Sequence, residues 1–312
     1  MSIRIGYLLP TRERVMAGQP QAAPLLELAE RAERLGFDSV WAGDSLLARP
    51  RHEPLTLLAA VASRVRRVDI GTAVLLPALR NPVLLAHQVA TLDQVAEGRL
   101  ILGVGIAADV PNIRQEFTAA GVPFEKRVGR LLEGLRLARL LWSGKPVDWD
   151  GRWKVEHGIL GPTPYRQGGP PIWIGGSLPA SLDRAGRLFD GWLPIAPNAD
   201  QWARLWDEVK EIARTAGRDP NALTGAMYLT VAIRPTRCRD AQPAGLLCRS
   251  ERRPGRMAAG LCTGRHHSSC AARQHAVLVV SMQQSRASLF HSTTCYRPVN
   301  GRVEETGFHE SR

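Results

Sequence analysis

The sequence predicts an α/β protein whose parallel sheet closes as a (β/α)8 barrel, with strands one to seven recognisable and the eighth strand and helix replaced by an atypical tail. Three observations lead there. Apolar strands alternate with amphipathic helices over roughly the first 235 residues, the pattern of βα units. The strands are apolar almost throughout, as expected when both sheet faces are covered. Seven such units in that length fall one short of a barrel of about 250 residues.

The elements follow in order. Ile3 to Leu9 is a short apolar run ending at Pro10, and Pro24 to Leu35 places Leu25, Leu28, Ala29, Ala32 and Leu35 on one helical stripe that Gly36 terminates. Ser39 to Ala42 is the second strand, Pro54 to Val65 a helix, and Val68 to Leu76 the third strand. Pro82 to Val95 is a helix with proline at its start, where the missing N–H costs little. After a fourth strand at Leu100 to Val104, a long helix is expected from Ile113 to Trp142, with Gly121-Val-Pro123 as its weak point. Residues 143–170 are rich in Gly, Pro and Trp and read as an irregular insertion, a functional loop or lid. Pro171 to Ile174, Trp192 to Ile195 and Thr224 to Ile233 complete the seven strands, with helices at Pro179 to Phe189 and Ala199 to Ala216 between them.

Composition narrows the class. The chain has no run of 18 apolar residues and no apolar leader, so the expectation is a cytoplasmic protein with no membrane span. Its formal charge of +12 sits mostly beyond residue 236, where 12 basic residues face 5 acidic ones. The body lacks a basic stripe interleaved with aromatics, so nucleic acid is not its expected partner. All five cysteines also lie in the tail, at 238, 248, 262, 270 and 295, without metal-ligand spacing, and no metal site is expected.

Three sites carry chemistry. Gly103-x-Gly105-x-x-Ala108 follows the fourth strand with the spacing of a dinucleotide fingerprint. No helix starts at once behind it, so it reads instead as a glycine-lined strand end that a ligand approaches closely. Gly175-Gly176-Ser177-Leu178-Pro179 joins a strand to a helix N-terminus, where free N–H groups suit a phosphate; a tight turn that needs glycine is the other reading. Asp44 stands just past the second strand, on the rim where barrel enzymes keep ligand and catalytic groups, or else it caps a helix. His52, His87 and His157 are scattered and form no triad.

Read together, LGFDSVWAGD (35–44), IGTAV (70–74), RNP (80–82), GRLILGVG (98–105), PIWIGGS (171–177) and DGW (190–192) resemble the luciferase-like monooxygenase family, in order over about residues 3–235. The resemblance implies a TIM-type barrel that binds reduced FMN, or the deazaflavin coenzyme F420, at the C-terminal strand ends. It places Asp44 near the ring system and makes the Ala73-Val74 peptide the third-strand bulge, often a non-prolyl cis bond, behind the ring. It also sets Gly105, Ile106, Gly175, Gly176 and Ser177 along the ring edge and phosphate. A flavin-dependent oxidoreductase or monooxygenase acting on a small organic substrate follows, with a flavin reductase as partner and a homodimer as assembly. Many relatives carry His after the aspartate. Here Ser45 stands there, a hydroxyl that does not donate protons near pH 7 as imidazole does, and the catalytic residue is left unassigned.

Residues 236–312 form an Arg- and Cys-rich tail with twelve arginines and no lysine. So abrupt a change reads as a reading-frame shift, after which the chain is not selected to fold and the barrel keeps two open edges. Ala276 to Val280 is the one strand-like run in the tail able to occupy that gap. Two alternatives stand beside the enzyme: a catalytically silent or unstable relative with a broken barrel, and a nucleic-acid binder acting through its basic tail.

Overall fold

The structure, a computed structural model, describes residues 3–195, 198–234, 274–283 and 302–305. Parallel strands β1 (Arg4–Leu8), β2 (Ser39–Ala42), β3 (Asp69–Thr72) and β4 (Leu100–Val104) come first. A separate hairpin, β5 (Val147–Asp150) and β6 (Lys154–Gly158), precedes β7 (Ile172–Ile174), β8 (Gly191–Trp192) and β9 (Thr224–Arg234). The sheet runs β1-β2-β3-β4-β7-β8-β9 in parallel, each strand beside its predecessor.

β10 (Gln274–Gln283) then fills the gap between β9 and β1, antiparallel to both. Ser281 lies opposite Arg4, and Gln274 opposite Ile233. The Ala276–Val280 run therefore occupies the eighth position. The two open edges expected there are not found among the described residues, because an apolar β-rich segment satisfies both rows of unpaired backbone groups. An antiparallel neighbour needs only a return loop, whereas a parallel one would need a right-handed crossover helix. β11 (Arg302–Glu305) adds to the far end of β9, Arg302 opposite Arg234. The tail cysteines fall outside the described residues.

The helices are α1 (Thr11–Met16), α2 (Ala23–Arg34), α3 (Pro54–Arg64), α4 (Pro82–Val95), α5 (Pro111–Ala119), α6 (Arg127–Leu141), α7 (Pro179–Leu188) and α8 (Ala199–Thr215). The long helix expected over 113–142 is two helices. Gly121, at φ +67°, and Pro123 end α5 and re-aim the chain into α6. Side chains close three helix starts: Glu53 accepts from Thr56 N, Asn81 from Val83 N and Leu84 N, and Asn198 from Gln201 N. Among the described residues no helix is long and apolar enough to cross a membrane.

The core has two layers. Outside the sheet, strand residues such as Val40, Ile70 and Leu102 pack against the helices, and Trp192 stacks on Trp202 and Trp206 of α8 at 6.1 and 6.3 Å. Inside the barrel, Trp41, Ile101, Trp173, Leu193, Ala226 and Val279 make a separate cluster. Trp41 fills the space left by two glycines, since a Cβ on Gly6 or Gly71 would stand 2.3 Å from its ring. Its indole N–H donates to Ser39 Oγ at 2.8 Å, and its ring lies 5.5 Å from that of Trp173. Val279 of β10 is 1% exposed within this interior, so the tail strand meets the barrel in the phase that puts an apolar residue inside.

The insertion over 143–170 is anchored on two outer helices. Its hairpin docks on the flank of α6, where Glu133 accepts from Arg152 N at 2.6 Å and ion-pairs with the Arg152 guanidinium. The return loop is tied to the end of α4, near where β4 begins: Arg166 N donates to Asp93 Oδ2, Arg166 Nη2 to Gly98 O, and Gln94 Nε2 to Thr163 O. None of these bonds reaches a C-terminal strand end. Two carboxylates on outer helices thus hold the segment.

Candidate cofactor and substrate site

The C-terminal ends of β2, β3, β4 and β7 bring the expected residues to one rim. Past β3 the Ala73-Val74 peptide is cis. Leu75 then bonds twice with β4, its N–H donating to Gly103 O and its carbonyl accepting from Gly105 N, both at 2.8 Å. The Val74 side chain consequently lies over the next two strand ends. A Cβ on Gly105 would be 2.6 Å from Val74 Cγ2, and one on Gly175 would be 3.7 Å from Val74 Cγ1. Ala73, Val74, Gly105 and Gly175 form one small, apolar floor, and half-buried Ile106 follows directly.

The loop after β7 is a donor-rich turn. Gly175 N donates to Val104 O at 2.9 Å, and Gly176 O accepts from the Trp192 indole at 2.8 Å, which fixes the turn at both sides. Gly176 has φ +104°, a conformation that requires glycine. Among the described residues the amides of Gly176, Ser177 and Leu178 donate to nothing, and they lie at the N-terminus of α7, whose first turn has no side-chain cap. Three unpaired amides at a helix start suit a phosphate.

Asp44 reaches the same rim but is already engaged. Its side chain is 6% exposed; Oδ2 accepts from Leu76 N at 2.9 Å and from Arg80 Nη1 at 2.5 Å, and Oδ1 from Arg80 Nη2 at 3.2 Å. Arg80 continues to Glu53 at 3.0 Å, linking the β2 and β3 loops to the start of α3. Burial works against the Arg80 charge, yet its bonds to Asp44 and Glu53 outweigh burial and hold its pKa above the ordinary value. Asp44 caps no helix; Glu53 caps α3. Arg80→Met should destabilise the protein by roughly 2 kcal/mol, short of the 3–5 kcal/mol of a fully buried pair because Arg80 retains access to water. Chemical denaturation reads this, and Asp44→Asn in the same background should recover part of it.

Ser45 is 8% exposed and its hydroxyl is engaged by the fold. Its hydroxyl donates to the Glu116 carboxylate at 3.3 and 3.4 Å and accepts from Arg49 N at 2.9 Å. Fully buried Glu116 also accepts from Leu46 N and Leu47 N, which clamps the β2 loop to α5. Leu46, Leu47, Val110, Leu178 and Ile195, one or two from each of four loops, stand exposed at the rim. Sequence reasoning missed Arg80, Glu116 and Trp192 as supports of the site; Arg80 and Trp192 stood within the RNP and DGW stretches, whereas Glu116 carried no local signal.

A family model described as luciferase-like monooxygenase matches residues 3–247. The chain belongs to the luciferase-like monooxygenase family. The F420-dependent glucose-6-phosphate dehydrogenase of Mycolicibacterium smegmatis (strain ATCC 700084 / mc(2)155) is 34% identical over 229 residues, 69% of this chain and 67% of that protein. Among solved structures, an F420-dependent secondary alcohol dehydrogenase in complex with an F420-acetone adduct is 27% identical with a TM-score of 0.63, covering 73% of this chain and 68% of its own. The monooxygenase RslO1 from Streptomyces bottropensis is 28% identical with a TM-score of 0.60, over 69% and 67% of the two chains. All four rim loops lie inside the luciferase-like match. β10 and β11 lie beyond it.

Proposed function

We propose that this chain is an oxidoreductase that uses the deazaflavin coenzyme F420 to exchange hydride with a small organic substrate at the mouth of the barrel. The observation that carries this reading is the pairing of a cradle of unpaired amides at Gly176–Leu178 with an adjacent apolar floor at Val74, Gly105 and Gly175. Gly176, Ser177 and Leu178 would take the coenzyme's phosphate. Ala73, Val74, Gly105 and Ile106 would back its ring, and the Asp44–Arg80 pair would hold the neighbouring loops rigid. When bound, the coenzyme supplies a two-electron hydride donor or acceptor. The curated relative's F420 dependence favours this cofactor.

The chain's own residues position the reactants and exclude water. The exposed leucine, valine and isoleucine side chains of the rim offer an organic substrate apolar contact. Ser45 does not move the proton that accompanies hydride transfer, since its hydroxyl is committed to Glu116. The likeness to a monooxygenase favours a second reading, in which reduced FMN occupies the same cradle and a flavin reductase supplies it.

Titrating the purified chain with F420 and with FMN, followed by absorbance and melting temperature, tests both. Saturable F420 binding that raises the melting temperature, with FMN at least tenfold weaker, supports the first reading. The reverse order supports the second, and failure of both to bind sinks the cofactor assignment. In this reading residues 236–312 remain a frame-shifted replacement of the family's last unit; independent reads of the locus with an intact frame would overturn that.

A further inference from the structure

Across the mouth from the amide cradle lies a second feature that the cofactor reading leaves unused. Arg51, in the loop between β2 and α3, folds back over the end of β2. A Cβ on Gly43 would stand 2.1 Å from Arg51 Nη1 and 3.4 Å from Ala73 O, so Nη1 is set against the Gly43 backbone, beside the β3 bulge. A side chain at 43 would displace it. Arg51 Nε donates to Arg49 O at 3.2 Å, which holds the plane of the group.

The rest of the guanidinium is not used by the fold. Among the described residues Arg51 has no carboxylate partner, and its two Nη groups donate to nothing, although the side chain is half-buried. Its electrostatic neighbours come from three elements: Arg12 and Glu13 of α1, Arg49 of its own loop, and Tyr228 of β9. Three guanidinium groups thus face one carboxylate, and Glu13 is itself held by Arg12 at 3.1 Å. Burial, then the Arg12 charge, lowers the Arg51 pKa, as expected for an arginine without its own counter-ion. A surface arginine would simply extend into water. This one is folded back against Gly43, with its Nη donors unpaired among the described residues.

We propose that Arg51, assisted by Arg12, is the subsite for an oxyanion of the substrate, a carboxylate or a phosphate ester. The position sets the geometry. The cradle is at the end of β7 and the ring floor spans β3, β4 and β7, whereas Arg51 lies past β2, with Arg12 after β1 and Tyr228 of β9 among its electrostatic neighbours. A substrate anchored there by its anion would reach over the floor from the side opposite the coenzyme's phosphate. This rests on the cofactor reading for the location of the ring, but not for the existence of the anion site.

Inorganic phosphate is the probe, titrated calorimetrically into the full chain as purified and again after saturation with FMN, whose own phosphate then fills the cradle. The FMN-saturated chain is expected to bind phosphate. Arg51→Gln should weaken that binding about tenfold or more, the loss of one charge-assisted fork. Arg51→Lys, which keeps the charge, should recover part of it, and Arg187→Gln, on the outer face of α7, should change nothing. Circular dichroism and melting temperature of Arg51→Gln should match the parent, which separates loss of binding from loss of fold. Equal phosphate binding in Arg51→Gln and parent, or none in the parent, overturns the proposal. So does an equal fall in FMN affinity, which would make the anion the cofactor's own. If FMN and F420 both fail to bind while an Arg51-dependent phosphate site persists, the cofactor reading fails and the anion site stands.

Discussion

Val279→Asp is expected to open the barrel. Val279 is 1% exposed, in the apolar interior cluster with Trp41, Trp173 and Leu193. Burying an unpaired charge forces the group to neutralise or the strand to leave, at a cost of roughly 4 kcal/mol or more. Since a domain's whole stability is about 5–15 kcal/mol, most of the margin goes. β10 would detach from β1 and β9 and expose two edges, so the variant should unfold at lower urea and aggregate. Ile159→Asp, at a residue 66% exposed, should shift the midpoint by no more than about 0.5 kcal/mol. Equal denaturation midpoints for Val279→Asp and parent would mean that the tail strand does not occupy the gap.

Trp41→Ala is expected to cost about 3–5 kcal/mol, the range for removing a large buried aromatic. The ring is fully buried, lies 5.5 Å from Trp173, and fills the space over Gly6 and Gly71. Gly71→Ala alone places a methyl 2.3 Å from that ring and should cost roughly 1–3 kcal/mol by overpacking. The two changes share one cavity. The double variant should therefore be more stable than the sum of the single losses by about 1 kcal/mol. Urea denaturation of the four proteins reads the coupling, and strict additivity would show that Trp41 and Gly71 do not oppose each other in the barrel interior.

The fold was legible wherever burial imposes a pattern. Residues 39–42 and 100–104 are apolar because both sheet faces are covered, and a period of that kind survives in one sequence. The hairpin at 147–158 was missed although Asp150-Gly151 sits between Trp149 and Trp153, a turn dipeptide between apolar partners; tryptophan and glycine together made the segment look irregular. α1 was missed because six residues show barely more than one helical turn. At the site, glycines and the helix start were readable because backbone chemistry is local. The supports were not, since Asp44 meets Arg80 across 36 positions and Ser45 meets Glu116 across 71. Arg51 gave no signal at all, because its importance lies in having no partner, and that is a property of space rather than of neighbouring letters.

The antiparallel closure by β10 also sets the order of events in folding. Pairing Arg4 with Ser281 joins nearly the two ends of the described chain, a contact of very high sequence separation. Contacts of this kind raise contact order and slow folding, because the intervening loop must be ordered before they repay it. At synthesis rates of about 5–20 residues per second, the β1 edge waits roughly 15–50 s on the ribosome before its partner emerges. During that interval the nascent protein is an open, curled sheet with its first strand unprotected. Its yield in a cell therefore depends on what shields that strand until the last turn of the barrel is made.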